Sequence, residues 1–391
     1  MLNFELYTPT KVVFGKNTES QVGDLIRENN AKKVLIHYGG ESAKKSGLLD
    51  TVCESLKEAS IDYVLLGGVV PNPRMSKVYE GVSLCQDEGV DFILAVGGGS
   101  VIDSAKAIGY GVVGGGDAWD FYDGTRPITG CLPIGCVLTI AAAGSEMSNS
   151  SVLTNEDGWL KRGTKSDFCR PMFAILNPEL TYTLPKYQVA CGCVDILMHT
   201  MERYFNTATM ELTDHLSEAL LRTVIKNAKI LLNRPQNYQA NAEIMWASSV
   251  SHNGILGCGT DGGDWASHQI EHELGGMFDV AHGAGLAAVW GSWARYVYKE
   301  NVERFAQFAA NVFDIPCGSN LDEAAIAGIE AMEKFYRLIE MPTSISDMDI
   351  HLTDEQIDTL AYKCTFENNR TVGVIKKLHS DDLAEIYRMA R

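Results

Sequence analysis

Hydrophobic positions in the first half of the chain follow two alternating patterns. Short runs of consecutive apolar residues, typical of buried strands, are each followed by apolar residues at helical spacing. The runs predict strands at residues 34–38, 62–66 and 91–96, and the intervening patterns predict helices at 48–59 and 76–88. Because strands that alternate with helices form βαβ units, we expect a parallel sheet with helices on both faces.

After Pro185 the helical period dominates and few alternating runs remain. The predicted helices of this half lie at residues 189–205, 211–232, 240–253, 302–313 and 321–338. Two apolar runs before Pro185, at 136–140 and 172–176, could add strands to the sheet. A chain of 391 residues exceeds what one hydrophobic core usually organises. We therefore predict an α/β domain at 1–184 and an all-α domain at 185–391.

Composition narrows the class of protein. The chain is 46% hydrophobic and 21% charged, as expected of a globular protein with a substantial core. Its 33 basic and 50 acidic residues give a net charge of −17, which argues against nucleic acid or an anionic membrane as partner. The start of the chain lacks a signal-peptide pattern, and no apolar stretch is long enough to span a membrane. The 10 cysteines are scattered without a CxxC pair. We expect a cytoplasmic protein with reduced thiols.

A glycine-rich turn joins the third predicted strand to a helix. The sequence Gly97-Gly98-Gly99-Ser100 follows the strand directly, and helical spacing begins at once. Glycines let the backbone approach a ligand, and unpaired N–H groups at a helix N-terminus bind a diphosphate. The alternative is a tight packing turn, in which Ser100 caps the helix and Asp103 completes the cap. The motif alone leaves both interpretations open.

A second candidate site lies in the helical half. Asp195 and His199 are four residues apart, as are His268 and His272, so that each pair shares a helix face. His282 follows ten residues later. One carboxylate and three imidazoles suit a divalent ion such as zinc or ferrous iron. Although a single histidine is more often structural, the group favours a metal. The other histidines are interpreted as structural or surface residues: His37, His215, His252, His351 and His379.

Both candidate sites belong to a longer series of segments that covers nearly the whole chain. In this order and spacing the segments resemble the iron-containing (group III) alcohol dehydrogenases, and most closely their butanol dehydrogenase and broad aldehyde reductase branch. The segments are Phe14-Gly15, Pro71-Asn72-Pro73, residues 97–106, residues 138–146, Asn177-Pro178, residues 195–199, residues 264–268, residues 272–274 and His282-Gly283.

The resemblance implies a dehydroquinate synthase-like fold, with an α/β dinucleotide-binding domain followed by a helical metal-binding domain. It also implies that His272 lies beside substrate and cofactor rather than on the metal. The metal ligands implied by the family are Asp195, His199, His268 and His282.

The same resemblance implies a set of cofactor-binding residues. Gly97, Gly98 and Ser100 match the diphosphate loop, and Asp103 lies on the helix that follows. The other matching residues are Asn72, Thr139, Ser145 and, by a looser alignment, Lys161. One departure is Ala143, because relatives often have a threonine there that would contact the cofactor.

Cofactor preference depends on the end of the first predicted strand. In the family an aspartate at the position of Gly39 accompanies NAD, because a carboxylate there repels a 2′-phosphate. Here Gly39 and Gly40 leave room, and Ser42 with a nearby lysine could hold a phosphate. We therefore expect NADP, with NAD possible. Glu41 would argue for NAD if its side chain pointed inward.

These observations predict a metal-dependent alcohol dehydrogenase or aldehyde reductase that uses NAD(P)H on small aldehydes such as butanal. The substrate is a small molecule, and the family suggests a homodimer. Three alternatives stay open: a glycerol dehydrogenase-like polyol oxidoreductase, a dehydroquinate synthase-like lyase and a non-catalytic nucleotide- or metal-binding protein. The lyase is disfavoured because the helical half lacks a cluster of basic residues for a sugar phosphate.

Overall fold

The computed structural model describes residues 1–391, which contacts between residues divide into two compact units. One unit is Tyr7–Leu184, and the other combines Met1–Leu6 with Pro185–Arg391. The first unit holds every strand, whereas the second is helical. The fold class expected from the sequence, α/β followed by all-α, is confirmed. The assignment of 1–184 and 185–391 as domains stays a prediction, and residues 1–6 group with the helical unit.

The α/β unit is built on a six-stranded parallel sheet. A separate antiparallel hairpin carries two further strands. The strands are β1 (Lys11–Phe14), β2 (Lys33–Tyr38), β3 (Asp62–Leu66), β4 (Phe92–Gly97), β5 (Ile134–Leu138), β6 (Ser150–Asn155), β7 (Leu160–Lys165) and β8 (Phe173–Leu176). The order in the large sheet is β1-β8-β5-β4-β2-β3, so that β2, β4 and β5 are adjacent and end at one edge.

Helices cover both faces of this sheet, as the alternating pattern predicted. They are α1 (Val22–Glu28), α2 (Ser42–Lys45), α3 (Leu48–Glu58), α4 (Met75–Glu88) and α5 (Gly99–Gly114). Val34 and Ile36 of β2 join α1 and α3 in one hydrophobic cluster. His37 directly follows Ile36 in the sequence and bonds Ser104 of α5 instead. Because successive strand residues point to opposite faces, α5 lies on the other face of the sheet.

The helical unit contains nine α-helices. They are α6 (Lys186–Tyr204), α7 (Glu211–Asn233), α8 (Tyr238–His252), α9 (Ala266–Phe278), α10 (His282–Val297), α11 (Val302–Phe313), α12 (Leu321–Leu338), α13 (Asp354–Cys364) and α14 (Ser380–Ala390). Helix α10 is buried on nearly all sides and packs against α6, α9, α12 and α14. No helix of the protein has the length and hydropathy that crossing a membrane requires.

Candidate active site

The glycine-rich turn joins β4 to α5 by close packing. A Cβ on Gly97 would lie 2.5 Å from Cγ2 of Val101, and one on Gly98 would lie 3.1 Å from Ile140. Both distances are too short for a side chain without a local shift. Glycine therefore brings the backbone of this turn against the start of α5, where the first N–H groups lack helical acceptors.

The helix does not begin as the capping hypothesis predicted. Helix α5 starts at Gly99, its N-cap is Gly98, and no side chain caps it. The interpretation of Ser100 as an N-cap completed by Asp103 is therefore wrong. Instead, the Asp103 carboxylate accepts bonds from the Ser145 hydroxyl (2.6 Å) and the Val152 N–H (2.9 Å). At the N-terminus of α5 no side chain competes for the backbone N–H groups, as an anion-binding helix terminus requires.

The segment after β5 lies against this turn. The Thr139 N–H donates to the carbonyl of Gly97 at 3.1 Å, and Ser145 is buried against Asp103. Ala143, where relatives often carry threonine, lies against Gly99, since a Cβ there would be 3.0 Å from that of Ala143. The structure thus brings together the two segments that the sequence assigned to a diphosphate.

Two further candidates, Asn72 and Lys161, lie in neighbouring segments. Lys161 is buried on β7 and pairs across the hairpin with Thr154, whose N–H donates to the carbonyl of Pro73 at 2.8 Å. Asn72 is also buried and has a left-handed backbone with φ of 51°. The turn that holds Asn72 therefore packs against the hairpin that carries Lys161.

The end of β2 is open where the sequence predicted a ribose site. A Cβ on Gly40 would meet nothing within 4 Å, and one on Gly39 would meet only ordinary contacts beyond 3.5 Å. Ser42 opens the short helix α2. Glu41 is exposed and pairs with Lys44 at 3.3 Å. Its carboxylate is therefore engaged by a surface lysine rather than buried in the turn.

In the helical unit, three helices bring the predicted metal ligands together. Asp195 lies on α6, His268 on α9, and His282 at the start of α10. One ligand atom from each of these three lies within 4.8 Å of the others. His199, one turn after Asp195 on α6, places Nδ1 3.3 Å from Oδ1 of Asp195 but stands outside this group of three. His272 is farther out, with its ring centre 6.0 Å from that of His282.

The spacing of these atoms fits a cation. Oδ1 of Asp195 lies 3.7 Å from Nε2 of His268 and 3.8 Å from Nε2 of His282. Ligands about 2.1 Å from a tetrahedral ion are about 3.4 Å from one another, close to these values. Asp195 Oδ1, His199 Nδ1 and His268 Nε2 are buried without a hydrogen-bond partner. Buried polar atoms seldom lack partners, so the donor set and its geometry suit a divalent metal.

Electrostatics keep the carboxylate ionised and one imidazole neutral. Burial raises the pKa of Asp195, but His268 and His282 outweigh burial and hold that pKa below its usual value. Burial and neighbouring cationic groups lower the pKa of His199 well below its usual range. Burial also lowers the pKa of His268, but Glu202 and Asp195 raise it to about 9. A metal must therefore displace a proton from His268 as it binds.

Two carboxylates that the sequence analysis missed orient the imidazoles. The Nδ1 atom of His268 bonds Glu202, and the Nδ1 atom of His282 bonds Glu271. Both glutamates are buried, and Glu202 also accepts the His268 backbone N–H at 2.9 Å. Because a carboxylate accepts, each Nδ1 carries a proton, which leaves Nε2 as the nitrogen that faces Asp195 and can bind a metal. The signal in the sequence was position, since each glutamate lies three residues after a candidate histidine.

His252, which the sequence analysis interpreted as a structural or surface residue, lies beside the proposed metal ligands. Its ring centre is 4.1 Å from that of His199, and its Nδ1 accepts a bond from Arg203 at 2.9 Å. The Arg203 guanidinium also lies over the ring of Trp265, 4.6 Å from its centre. Helix α8, which carries His252, thus adds a fifth ring to the histidine cluster.

Comparisons with known proteins agree with this geometry. The sequence model of the family described as "Iron-containing alcohol dehydrogenase" matches residues 9–178. A second model, "Fe-containing alcohol dehydrogenase family, C-terminal", matches residues 189–391. Together the two matches span nearly the whole chain.

Individual relatives match along their full length. The chain is 36% identical over 390 residues to NADH-dependent butanol dehydrogenase A of Clostridium acetobutylicum, with 99% of each protein covered. It is 35% identical over 395 residues to the NADPH-dependent aldehyde reductase YqhD of Escherichia coli, with 100% of each covered. The crystal structure of NADH-dependent butanol dehydrogenase A from Thermotoga maritima is 39% identical, with a TM-score of 0.97 over 100% of this chain and 99% of that one. The protein therefore belongs to the iron-containing alcohol dehydrogenase family, in its butanol dehydrogenase and aldehyde reductase branch.

Proposed function

We propose that this protein is a metal-dependent alcohol dehydrogenase that reversibly reduces small aldehydes such as butanal to primary alcohols with NAD(P)H. The observation that carries the proposal is the cluster of Asp195, His268 and His282. Its ligand atoms face one another at coordination spacing, and carboxylates orient two of its imidazoles. Family membership supports the same reaction class.

The four residues proposed to hold the metal are Asp195, His199, His268 and His282. When bound there, ferrous iron or zinc supplies a Lewis acid that stabilises negative charge developing on a carbonyl oxygen. The protein's own contribution is orientation, because Glu202 and Glu271 fix two imidazoles with Nε2 towards Asp195. Three carboxylates surround the imidazoles, which keeps the cluster attractive to a cation before substrate arrives.

For the dinucleotide, we propose that the N-terminus of α5 binds the diphosphate through backbone N–H groups. The residues proposed to line the cofactor site are Gly39, Gly40, Ser42, Asn72, Gly97, Gly98, Ser100, Asp103, Thr139, Ser145 and Lys161. Within this set Asp103 contributes by holding Ser145 rather than by touching an anion, since a carboxylate would repel a phosphate.

Reduction of an aldehyde also needs a proton for the product oxygen, and we propose His272 as part of the relay that supplies it. His272 is buried on α9 near His282 but outside the ligand group. The substitution His272→Gln is expected to lower kcat and leave metal content unchanged. Loss of the metal in this variant would make His272 a ligand instead.

We further propose that NADP is the preferred cofactor. The open backbone at Gly39 and Gly40, and the pairing of Glu41 with Lys44, leave no carboxylate at the end of β2 to repel a 2′-phosphate. Names of relatives point both ways, since the butanol dehydrogenases are called NADH-dependent and YqhD is called NADPH-dependent.

The test is oxidation of NADPH and NADH, followed by absorbance with butanal as substrate. The protein is assayed after metal removal and again after ferrous iron or zinc is added. Metal-dependent turnover with NADPH well above NADH supports the reaction, the metal and the cofactor preference together. Faster turnover with NADH would reverse the preference alone. Absence of turnover across a panel of aldehydes, with metal demonstrably bound, would refute the oxidoreductase proposal. Glycerol and 1,3-propanediol in the oxidation assay test the polyol alternative.

Localisation and assembly are proposals as well. We propose a cytoplasmic protein, which the scattered cysteines without a CxxC pair favour, because such a pattern is typical of reduced thiols. We also propose a homodimer, because β1 pairs with β8 on one side and leaves its other edge available for a second chain. Light scattering coupled to gel filtration distinguishes a dimer from a monomer of 42.8 kDa.

A further inference from the structure

Lys106 on α5 is a buried cation that neither the fold nor the proposed chemistry has explained. Its side chain has no exposed surface. Its Nζ lies 2.8 Å from the Ser145 carbonyl, the Ser145 hydroxyl and the Ser150 carbonyl. The carbonyl and hydroxyl of Ser148 follow at 3.1 and 3.3 Å. An ammonium has three protons and no acceptor, so all of its bonding capacity is directed to residues 145–150.

Asp103 reinforces the same connection from one turn earlier on α5. The Ser145 hydroxyl donates to Asp103 at 2.6 Å and lies 2.8 Å from the Lys106 ammonium, which donates to it. The Val152 N–H also donates to Asp103. Because residues three apart share a helix face, one face of α5 presents a carboxylate and an ammonium to one segment. The buried charges are therefore paired with polar groups rather than isolated.

The segment held in this way is also in contact with the glycine-rich turn. Thr139 donates its N–H to Gly97, and Ala143 packs on Gly99. Residues 139–150 are thus fixed to α5 twice, at the turn by close packing and further along the helix by Lys106. The two groups proposed to bind the diphosphate, the N-terminus of α5 and Ser145, lie on the two pieces that Lys106 connects.

We propose that Lys106 is a positioning residue for dinucleotide binding. Its ammonium holds residues 145–150 against α5, so that Ser145 and the helix N-terminus present their donors at one fixed spacing. Without it, three carbonyls lose a buried donor and the segment must rearrange to satisfy them. This inference rests on the proposed function, because it concerns the cofactor that the function requires.

The test compares Lys106→Met, which keeps the length and removes the charge, with Lys57→Met on the exposed surface of α3 as a matched control. Dissociation constants for NADPH and NADH are measured by calorimetry at temperatures at which each variant is folded. We expect Lys106→Met to raise the dissociation constant about tenfold, the loss associated with one buried charged hydrogen bond. The KM for the dinucleotide should rise in parallel, whereas metal content and the KM for butanal should not change. The control should resemble the original protein.

Two further variants keep the test decisive if Lys106→Met does not fold. Lys106→Arg retains the charge and is expected to bind the dinucleotide more tightly than Lys106→Met. If only Lys106→Arg folds, its dissociation constant is expected to stay within about tenfold of that of the original protein. Ser148→Ala removes one hydroxyl acceptor and should raise the dissociation constant about threefold. A fall in Tm with unchanged dinucleotide binding in Lys106→Met, or in Ser148→Ala if the former is unfolded, would overturn the positioning role. If the original protein itself neither binds nor oxidises either dinucleotide, the proposed function fails, and this inference fails with it.

Discussion

At the scale of single residues, the proposed metal site depends on two glutamates that are not themselves among the proposed ligands. Glu202 and Glu271 accept the Nδ1 protons of His268 and His282 and add negative charge beside the cluster. We expect Glu202→Gln and Glu271→Gln each to weaken metal binding by about 10- to 100-fold, the usual cost of losing such a carboxylate. Competition with a chromogenic chelator measures this affinity. Glu218→Gln is the matched control, because this carboxylate is also buried but bonds Tyr204 and Asn311. Equal affinities in all variants would show that the glutamates only fill space.

His37 gives a second prediction at this scale, for stability rather than activity. Burial lowers the pKa of His37 from 6.5 to about 4, although its bond to the Leu66 carbonyl opposes this shift. As the pH falls, His37 therefore binds a proton near pH 6.5 in the unfolded chain but only near pH 4 in the folded protein. This stabilisation is complete above pH 6.5 and is lost as the pH falls towards 4. It amounts to about 3 kcal/mol. Denaturant unfolding of His37→Gln should show a weaker decline over this window, whereas His351→Gln, on the surface, should keep the original one.

At the scale of elements, the contact between β4 and α5 predicts the effect of one methyl group. Gly97→Ala places a Cβ 2.5 Å from Val101, a branched side chain on the first turn of α5. Overpacking of this kind costs about 1–3 kcal/mol and displaces the helix start that is proposed to bind the diphosphate. We expect the dissociation constant for the dinucleotide to rise about tenfold. Gly318→Ala, in open space, should leave it unchanged. Calorimetry measures both, and tight binding by Gly97→Ala would remove this turn from the cofactor site.

The elements also show how far sequence reasoning reaches. Strands with consecutive apolar residues were predicted closely, as at Phe92–Gly97, where a strand at 91–96 was expected, because burial on both faces leaves a clear pattern. The hairpin strand Leu160–Lys165 was missed because its residues are largely polar, and α10 because it is apolar on nearly all sides and has no period.

The same limit applies to the site. Spacing alone grouped Asp195 with His199 and His268 with His272, since four residues make one helical turn. The positions of Glu202 and Glu271, three residues after candidate histidines, did not suffice to single them out, because an acidic residue on a helix is usually solvated. Only the packing of α6, α9 and α10 buries these two carboxylates against imidazoles.

At the scale of the whole molecule, each unit carries one proposed binding site, so that each ligand should leave its own signature. The candidate metal ligands all lie on α6, α9 and α10 of the helical unit, and removing the ion leaves buried polar atoms there unsatisfied. Ligand at a thousand times its dissociation constant stabilises a folded state by about 4 kcal/mol. We therefore expect metal removal to lower Tm and to speed hydrogen exchange in these three helices, while the sheet of the α/β unit keeps its protection. Added NADPH should slow exchange at the start of α5 and in residues 139–150, with or without metal. Exchange followed by mass spectrometry resolves both effects. If metal removal left α6, α9 and α10 unchanged and loosened the α/β unit instead, the ion would bind elsewhere, and the ligand set proposed here would be wrong.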